Sequence, residues 1–311
     1  MNRKPKILVI VGPTASGKSA LAVKLAKALA VSGVESEVVS ADSRQVYKGM
    51  DIGTGKVTKR EMRGVPHHLL DVANPKQQFS VARYQVLAYK AIDGILKRGK
   101  LPIVVGGTGH YVDAITKGLV VPEVPPNAIL RRNLAKLSNA QVFKLLKQLD
   151  PKRAKIIDKN NPRRLVRAIE IAESLGKVPA IKSDPRYSPI VLGLRTHDLG
   201  LRIKKGVGGR LKKGWVKEVL KLHKKGLSWK RLENLGLGYK IIAQHLQGKV
   251  KKSELTNMIT TAEIQYTKRQ LTWFKRDKSI KWLDKADLAK WPRLASLPGL
   301  RRRAISPGQR S

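Results

Sequence analysis

Residues 7–11 (Ile-Leu-Val-Ile-Val) form a short, continuous, β-branched run, the composition of a strand buried on both faces. Gly12-Pro13-Thr14-Ala15-Ser16-Gly17-Lys18-Ser19 follows, and residues 19–30 then have helical spacing, with Leu21, Leu25, Ala28 and Leu29 on one side. This order constrains the chain more than any other feature. A G-x-x-x-x-G-K-S segment gains meaning when a strand leads into it and a helix leads out. Small residues let successive backbone N–H groups curl around phosphate oxygens, and the helix N-terminus adds its dipole. Lys18 supplies a point charge to the terminal phosphates, and Ser19 offers a ligand to Mg²⁺. The segment therefore predicts a di- or triphosphate site.

The strand–helix alternation continues. Residues 37–40 read as a second strand ending at Ala41-Asp42-Ser43, residues 81–98 as a helix, and residues 103–105 as a third strand closed by Gly106-Gly107-Thr108-Gly109. Such alternation implies a parallel sheet with right-handed crossovers. The stretch Val121-Pro122-Glu123-Val124-Pro125-Pro126 marks a boundary. Beyond it, 127–149 and 161–175 read as helices, the second opened by Asn161-Pro162. Strand character returns at 188–194, and residues 198–276 are mostly helical, interrupted by glycines. The expected organisation is a P-loop NTPase-like α/β core over 1–121 and an all-helical insertion over 122–187. A return to the core over 188–284 and a basic, disordered tail over 285–311 complete it.

Charge narrows the class of partner. Of 311 residues, 64 are Lys or Arg and 22 are Asp or Glu, a formal net charge of +42. Residues 1–120 carry 19 of the basic residues and 8 of the acidic ones, leaving 45 and 14 for the remainder. Such an excess favours a polyanion, bound chiefly by the second part. With no cysteine, disulfides, thiolate metal sites and a cysteine nucleophile are excluded. The N-terminal apolar run is broken by Gly12-Pro13 and then by Lys18, unlike a signal peptide, and no apolar stretch is long enough to span a bilayer. These features predict a cytoplasmic protein with no membrane partner.

In a parallel sheet, the ends of strands two and three open onto the same crevice as the phosphate loop. Asp42 there could hold Mg²⁺ through water, accept a proton from an incoming nucleophile, or serve only its own turn. Most phosphate loops of this pattern belong to kinases and NTPases, and the residues alone leave the chemistry open.

Taken together, GPTASGKS, SADSRQVYKGMDIGTGK (40–56), PHHLLD (66–71), VGGTGHYVDA (105–114) and KRQLTWF (268–274) resemble the tRNA dimethylallyltransferases, or tRNA isopentenyltransferases. Weaker matches at 158–171, 212–222 and 236–240 keep the same order, so the resemblance runs from about residue 6 to 284. It implies transfer of a dimethylallyl group from dimethylallyl diphosphate to N6 of the adenine 3′ to the anticodon. Gly12 to Ser19 would hold the diphosphate, Mg²⁺ at Ser19 would be the cofactor, Asp42 the general base and Thr108 the residue orienting the adenine. By the same matching, Asp42, Ser43, Arg44, Gln45 and Thr108 line the target base. Arg131, Arg163, Arg164, Leu165, Val166 and Arg167 contact tRNA from the insertion, and Gly238, Tyr239 and Lys240 contact it from the C-terminal part. A monomer is expected. The alternatives are an adenylate isopentenyltransferase acting on free AMP or ATP, and a P-loop nucleotide kinase.

The chain departs from the family pattern at three places. Gly206 stands where many members carry an arginine reaching the diphosphate, Ile264 replaces an arginine ahead of K-R-Q, and Leu235 replaces one before G-Y. Arg202 and Arg210 are the candidate substitutes for the first. These departures bear on diphosphate and tRNA binding rather than on the reaction. Glu170 lies within reach of the insertion's arginines along one helix, so an internal ion pair competes with a tRNA-facing role for them. His67-His68 reads as structural, Trp273 as core, and Trp229 and Trp282 as candidate stacking groups.

Overall fold

A computed structural model describes residues 4–120, 122–180 and 182–284. The tail expected over 285–311, with Arg301, Arg302 and Arg303, lies outside the described residues.

The first half of the sheet is built from β1 (Lys6–Val11), α1 (Lys18–Val31), β2 (Ser36–Ser40), α2 (Lys59–Met62), β3 (His67–His68), α3 (Val81–Lys97), β4 (Leu101–Gly106) and α4 (Gly109–Thr116). A helical segment follows: α5 (Ala128–Leu134), α6 (Asn139–Leu149), α7 (Pro151–Ile156) and α8 (Pro162–Leu175). The chain then returns through β5 (Ser188–Arg195), α9 (Leu199–Lys212), α10 (Trp215–Lys224), α11 (Trp229–Leu235), α12 (Leu237–Leu246), α13 (Leu255–Phe274) and β6 (Lys281–Asp284). Among the described residues the strands form one six-stranded sheet, order β3-β2-β4-β1-β5-β6, every pair parallel.

The central strand explains the layering. Ile7, Val9 and Val11 of β1 point to one face and Leu8 and Ile10 to the other, and all are fully buried. Leu21, Ala22, Leu25, Ala26 and Leu29 of α1 cover the second face. Tyr84, Ala88, Ile92 and Ile95 of α3, with side chains from α4 and α9–α13, cover the first. A strand buried on both sides has no polar face to show, which is why residues 7–11 read as unbroken apolar sequence. Local signals set the helix ends. Ser80 Oγ accepts from Arg83 N at 3.1 Å to open α3, and Gly33 and Gly99, both at positive φ, follow α1 and α3.

Residues Leu119–Asp184 make a second compact unit, separate from the sheet unit that closes at Gly118 and resumes at Pro185. Its base is tied by an antiparallel bridge between Leu119 and Ser183. Its own core comprises Leu134, Val142, Leu146, Ala154, Leu165, Ala168 and Ile169. The helix expected over 127–149 is two helices. Ser138 and Gln141 form a reciprocal capping box that starts a new helix at Asn139, so local side-chain hydrogen bonds outcompete continuation. Helix α8 begins as the sequence suggests, with Asn161 Oδ1 accepting from Arg164 N at 3.2 Å and Pro162 in its first turn.

Candidate active site

The C-terminal ends of β1, β2 and β4 open onto one cleft of about 370 Å³, lined by Lys18, Ser19, Asp42, Gln45, Gly107 and Gln270 among others. Its floor is the loop from Gly12 to Gly17. Gly12, Ala15 and Gly17 all have positive φ, at 154°, 63° and 95°. Left-handed residues of this kind let a short loop curl its backbone amides around an anion. At Gly12 a Cβ would meet Leu194 O at 2.9 Å, so only glycine lets the loop lie this close to β5.

Lys18 Nζ donates to Pro13 O at 2.7 Å, folding the cation over its own loop. Burial pulls its pKa down to about 8, against the opposing charge of Asp42. Ser19, one residue into α1, is exposed and lines the cleft. Ser16 is buried and its Oγ has no hydrogen-bond partner, while Thr14 faces the cleft. Pro13 is buried at the start of the turn.

Asp42 serves its turn and keeps a face for the cleft. Oδ1 accepts from Arg44 N at 2.8 Å and Gln45 N at 3.3 Å, an Asx turn, and the residue lines the cleft. Thr108 is drawn to the same place: its Oγ1 accepts from Ser43 N at 3.1 Å and lies 3.3 Å from Ser43 Oγ. Gly106 sits against Ala41, where any Cβ would collide with the backbone, so strands β2 and β4 can close this corner. Arg44 is exposed.

Sequence reasoning gave no role to several residues that complete the cleft. Gln270 bridges the phosphate loop and the turn after β4: its Oε1 accepts from Thr14 N at 2.9 Å and Thr14 Oγ1 at 3.1 Å, and its Nε2 donates to Gly107 O at 2.8 Å. The K-R-Q-L-T-W-F match carried this residue without saying what it does. Tyr266, one turn earlier on α13, hydrogen-bonds Thr108, and burial first and then the Asp42 charge push its phenol up. Thr54, Gly55 and Glu263 also line the wall. They come from segments far apart in sequence, and no spacing rule links them.

The positions that depart from the family pattern have clear surroundings. Gly206 lines the cleft, and a Cβ there would meet nothing within 4 Å. Arg202 lines it too and donates through Nε to Ala15 O at 2.9 Å, which puts it on the phosphate loop. Arg210 lines it as well but is already paired: Nη2 meets Glu263 at 2.7 Å and 2.8 Å, and Nη1 donates to Gly53 O at 2.9 Å. Leu235 is fully buried, and Ile264 lies against Gly200 of α9.

The remaining predicted site residues divide by environment. Arg163 and Arg164 are exposed on the first turn of α8, whereas Leu165 is fully buried and Val166 packs beside it. Arg131 donates through Nε and Nη2 to Glu170 at 2.6 Å and 2.9 Å, and Arg167 donates to Glu170 at 3.2 Å and Val124 O at 2.9 Å. The Glu170 side chain has no exposure, and the two arginines satisfy it inside the helical unit. Gly238 packs under the Trp215 indole, and Tyr239, 2 % exposed, donates its hydroxyl to Glu218 at 2.6 Å. Of that trio Lys240 is the exposed member.

His67 and His68 point to different partners, Nδ1 to Val65 O and Nε2 to Glu37 Oε2. Trp273 is half-buried and packs against the edge of the main core. It covers Gly109 and lies 4.4 Å from the His110 ring, because the turn after β4 needs a lid where glycine leaves the backbone bare. Trp229 stacks on His223 at 3.6 Å, and Trp282 receives Arg195 at 5.6 Å. Among the described residues no helix is long and apolar enough to cross a membrane.

The IPP transferase family matches residues 45–277, and the isopentenyl transferase family matches residues 5–82. A tRNA dimethylallyltransferase of Thermoanaerobacter sp. (strain X514) is 41% identical over 291 residues, covering 89% of this chain and 91% of its own. A tRNA dimethylallyltransferase 1 of Geotalea daltonii is 42% identical over 286 residues, covering 90% and 91%. Among solved structures, the full-length tRNA isopentenylpyrophosphate transferase of Bacillus halodurans superposes with a TM-score of 0.70 at 35% identity, covering 94% of this chain and 96% of its own. A eukaryotic dimethylallyltransferase acting on tRNA gives 0.73 at 26% identity, covering 94% and 77%.

Proposed function

The chain belongs to the IPP transferase family, and from that premise we propose that it moves a dimethylallyl group from dimethylallyl diphosphate to N6 of the adenine 3′ to the anticodon of tRNA. The observation that carries the reading is the convergence of an anion cradle and a carboxylate on one cleft, the loop from Gly12 to Ser19 and Asp42, with Thr108 bonded to Ser43 in the Asp42 turn just behind the lining.

The chemistry follows from the geometry. The allylic C–O bond breaks and its electron pair leaves on the diphosphate. The loop amides, Lys18 and Arg202 meet that growing charge, and stabilising charge where it develops is the largest lever such a site has. The adenine amine forms the new C–N bond and loses one proton. Asp42 accepts it, through the carboxylate oxygen that the Asx turn leaves unused. Thr108 orients the base, its hydroxyl being steered by Ser43 and Tyr266. For Mg²⁺ the residues present fit a hard oxygen site. The exposed Ser19 hydroxyl would be its protein ligand beside the phosphate loop, the diphosphate oxygens completing the set, since among the described residues there is no group of three His, Cys, Asp or Glu that could hold a metal. When bound, the metal neutralises diphosphate charge.

On the RNA side, Arg163, Arg164, Arg44 and Lys240 are the exposed members of the predicted contact set and supply the phosphate and base contacts. Arg131, Arg167 and Tyr239 support that surface from inside. The target adenine must leave the anticodon-loop stack to enter the cleft. The enzyme acts as a monomer in the cytoplasm.

Labelled dimethylallyl diphosphate offered with undermodified tRNA, AMP or ATP tests the reading. Label in tRNA with release of diphosphate is expected. Preferential labelling of AMP would make it an adenylate isopentenyltransferase, and tRNA-independent phosphate release from ATP would make it a kinase or ATPase.

A further inference from the structure

We propose that Glu218, backed by Tyr239, is a positioning residue for the acceptor-base side of the cleft, acting through the turn at residues 51–55 and the side chain of Gln45. The proposal rests on the tRNA-prenylating reading above.

Glu218 lies on α10 and is not among the cleft-lining residues. Its carboxylate gathers four donors. Oε2 accepts from the backbone of Asp51 at 2.8 Å and Ile52 at 2.7 Å, and Oε1 accepts from Gly53 N at 3.0 Å and the Tyr239 hydroxyl at 2.6 Å. Three consecutive amides aimed at one carboxylate are charge-assisted bonds, about twice as strong as neutral ones. The opposite pole of the turn is held as well. Arg210 Nη1 donates to Gly53 O at 2.9 Å, and the Trp215 indole occupies the space any Cβ on Gly53 would need. Lys56 closes the end of the turn, bridging Asp51 Oδ1 at 2.6 Å, Asp71 Oδ1 at 2.5 Å and Tyr47 O at 2.9 Å. The turn is held from both its amide and its carbonyl sides.

What it presents to the cleft is Thr54 and Gly55. Their carbonyls accept from Gln45 Nε2 at 3.4 Å and 3.3 Å. Because a carbonyl can only accept, this contact decides which way the Gln45 amide faces and leaves Oε1 as its remaining acceptor. Gln45 lines the cleft and shares the turn of Asp42, its backbone N–H donating to Asp42 Oδ1. The adenine amine carries two hydrogens. One goes to Asp42 as the C–N bond forms, and the retained one needs an acceptor, which Gln45 Oε1 supplies. A base with a carbonyl at that position would bring two acceptors face to face, so the same fixed amide selects an amine. Glu218 thus touches no substrate, yet sets the polarity of the pocket that reads it.

Glu218→Gln keeps the shape and removes the charge. Amide hydrogen exchange at Asp51, Ile52 and Gly53 should accelerate. With undermodified tRNA, kcat should fall by about 10- to 100-fold, the scale of a misplaced reacting group, while KM for the donor is unchanged. Tyr239→Phe, which removes one hydroxyl, should shift both in the same direction by less, and it carries the test if the first variant does not fold. The readout that a merely structural role would not move is coupling. Glu218→Gln added to Gln45→Ala should cost little more than Gln45→Ala alone. Additive losses, a change confined to donor KM, or unaltered exchange at 51–53 would overturn the proposal. If the wild-type protein prenylates no tRNA, the functional reading fails instead, and the exchange measurement still decides whether the clamp exists.

Discussion

The sheet unit and the helical unit treat their predicted site residues differently. In the sheet unit, Lys18, Ser19, Asp42 and Gln45 all line one cleft, and Thr108, which does not line it, is bonded to Ser43 in the Asp42 turn. In the helical unit, the arginines nominated together go separate ways: Arg163 and Arg164 stay exposed, Arg164 3.8 Å from the surface carboxylate of Asp158, while Arg131 and Arg167 turn onto Glu170. The difference is one of constraint. A strand ending in a tight glycine loop and a helix leaves each residue a single location. Two helices carrying four arginines between them, Arg131 on α5 and the other three on α8, leave each side chain to find its best anion, and one buried carboxylate is enough to redirect two of them.

The sharpest test of the cleft is Asp42→Asn. Loss of a general base should lower single-turnover transfer by about 10²–10⁴-fold, with tRNA affinity retained in a filter-binding assay. Unchanged turnover would remove Asp42 as the base.

Next in size is the helical unit's anchor. Glu170→Gln should destabilise the protein by about 1–3 kcal/mol in urea unfolding, because Arg131 and Arg167 lose a charged acceptor but, being about a third exposed, reach water in part. Burial alone would raise the Glu170 carboxyl, but hydrogen bonds from Arg131, Asn127 N and Arg167 outweigh it and lower it. Its contribution to stability is therefore fully present above the ordinary glutamate pKa and is lost as the pH falls through the lower folded-state value. The wild-type protein should show that loss and Glu170→Gln a smaller one, since Glu37, Glu61 and Asp150 are also held below the usual carboxylate range.

Diphosphate affinity offers a comparison within the sheet unit. Burial holds Lys18 near 8 in the free protein, so affinity measured calorimetrically should fall as the pH rises through about 8, by up to about tenfold per pH unit. Lys18→Met should abolish that slope.

Arg163→Ala and Arg164→Ala should each weaken tRNA binding several-fold and reduce the log–log salt slope by about 1. Arg167→Ala should act through unit stability and leave the slope unchanged. A slope that drops equally for all three would erase the division between outward and inward arginines.

The smallest effect concerns α9. Gly208 meets nothing within 4 Å and is not among the positive-φ glycines, so Gly208→Ala should raise stability by about 1 kcal/mol with activity unchanged. Thermal unfolding checks it.

The order of strands and helices, the phosphate loop and the turns carrying Asp42 and Thr108 were legible along the chain. Each rests on contacts between residues close in sequence: the apolar run at 7–11, the glycines at 12 and 17, the cap at Asn161. The clamp by Gln270, 256 residues from Thr14, was not legible, nor was the hold of Glu218 on residues 51–53. A glutamine or glutamate within an amphipathic helix looks the same whether it meets water or a distant backbone. The interior position of Tyr239 and the pairing of Arg210 with Glu263 were hidden for the same reason. Sequence by itself determined the form of the glycine loop proposed to hold the diphosphate, because backbone conformation there is dictated by its own residues. Tertiary structure decided which charges remain available and what holds the acceptor side of the cleft. Those depend on the nearest opposite pole in space, which no local pattern encodes.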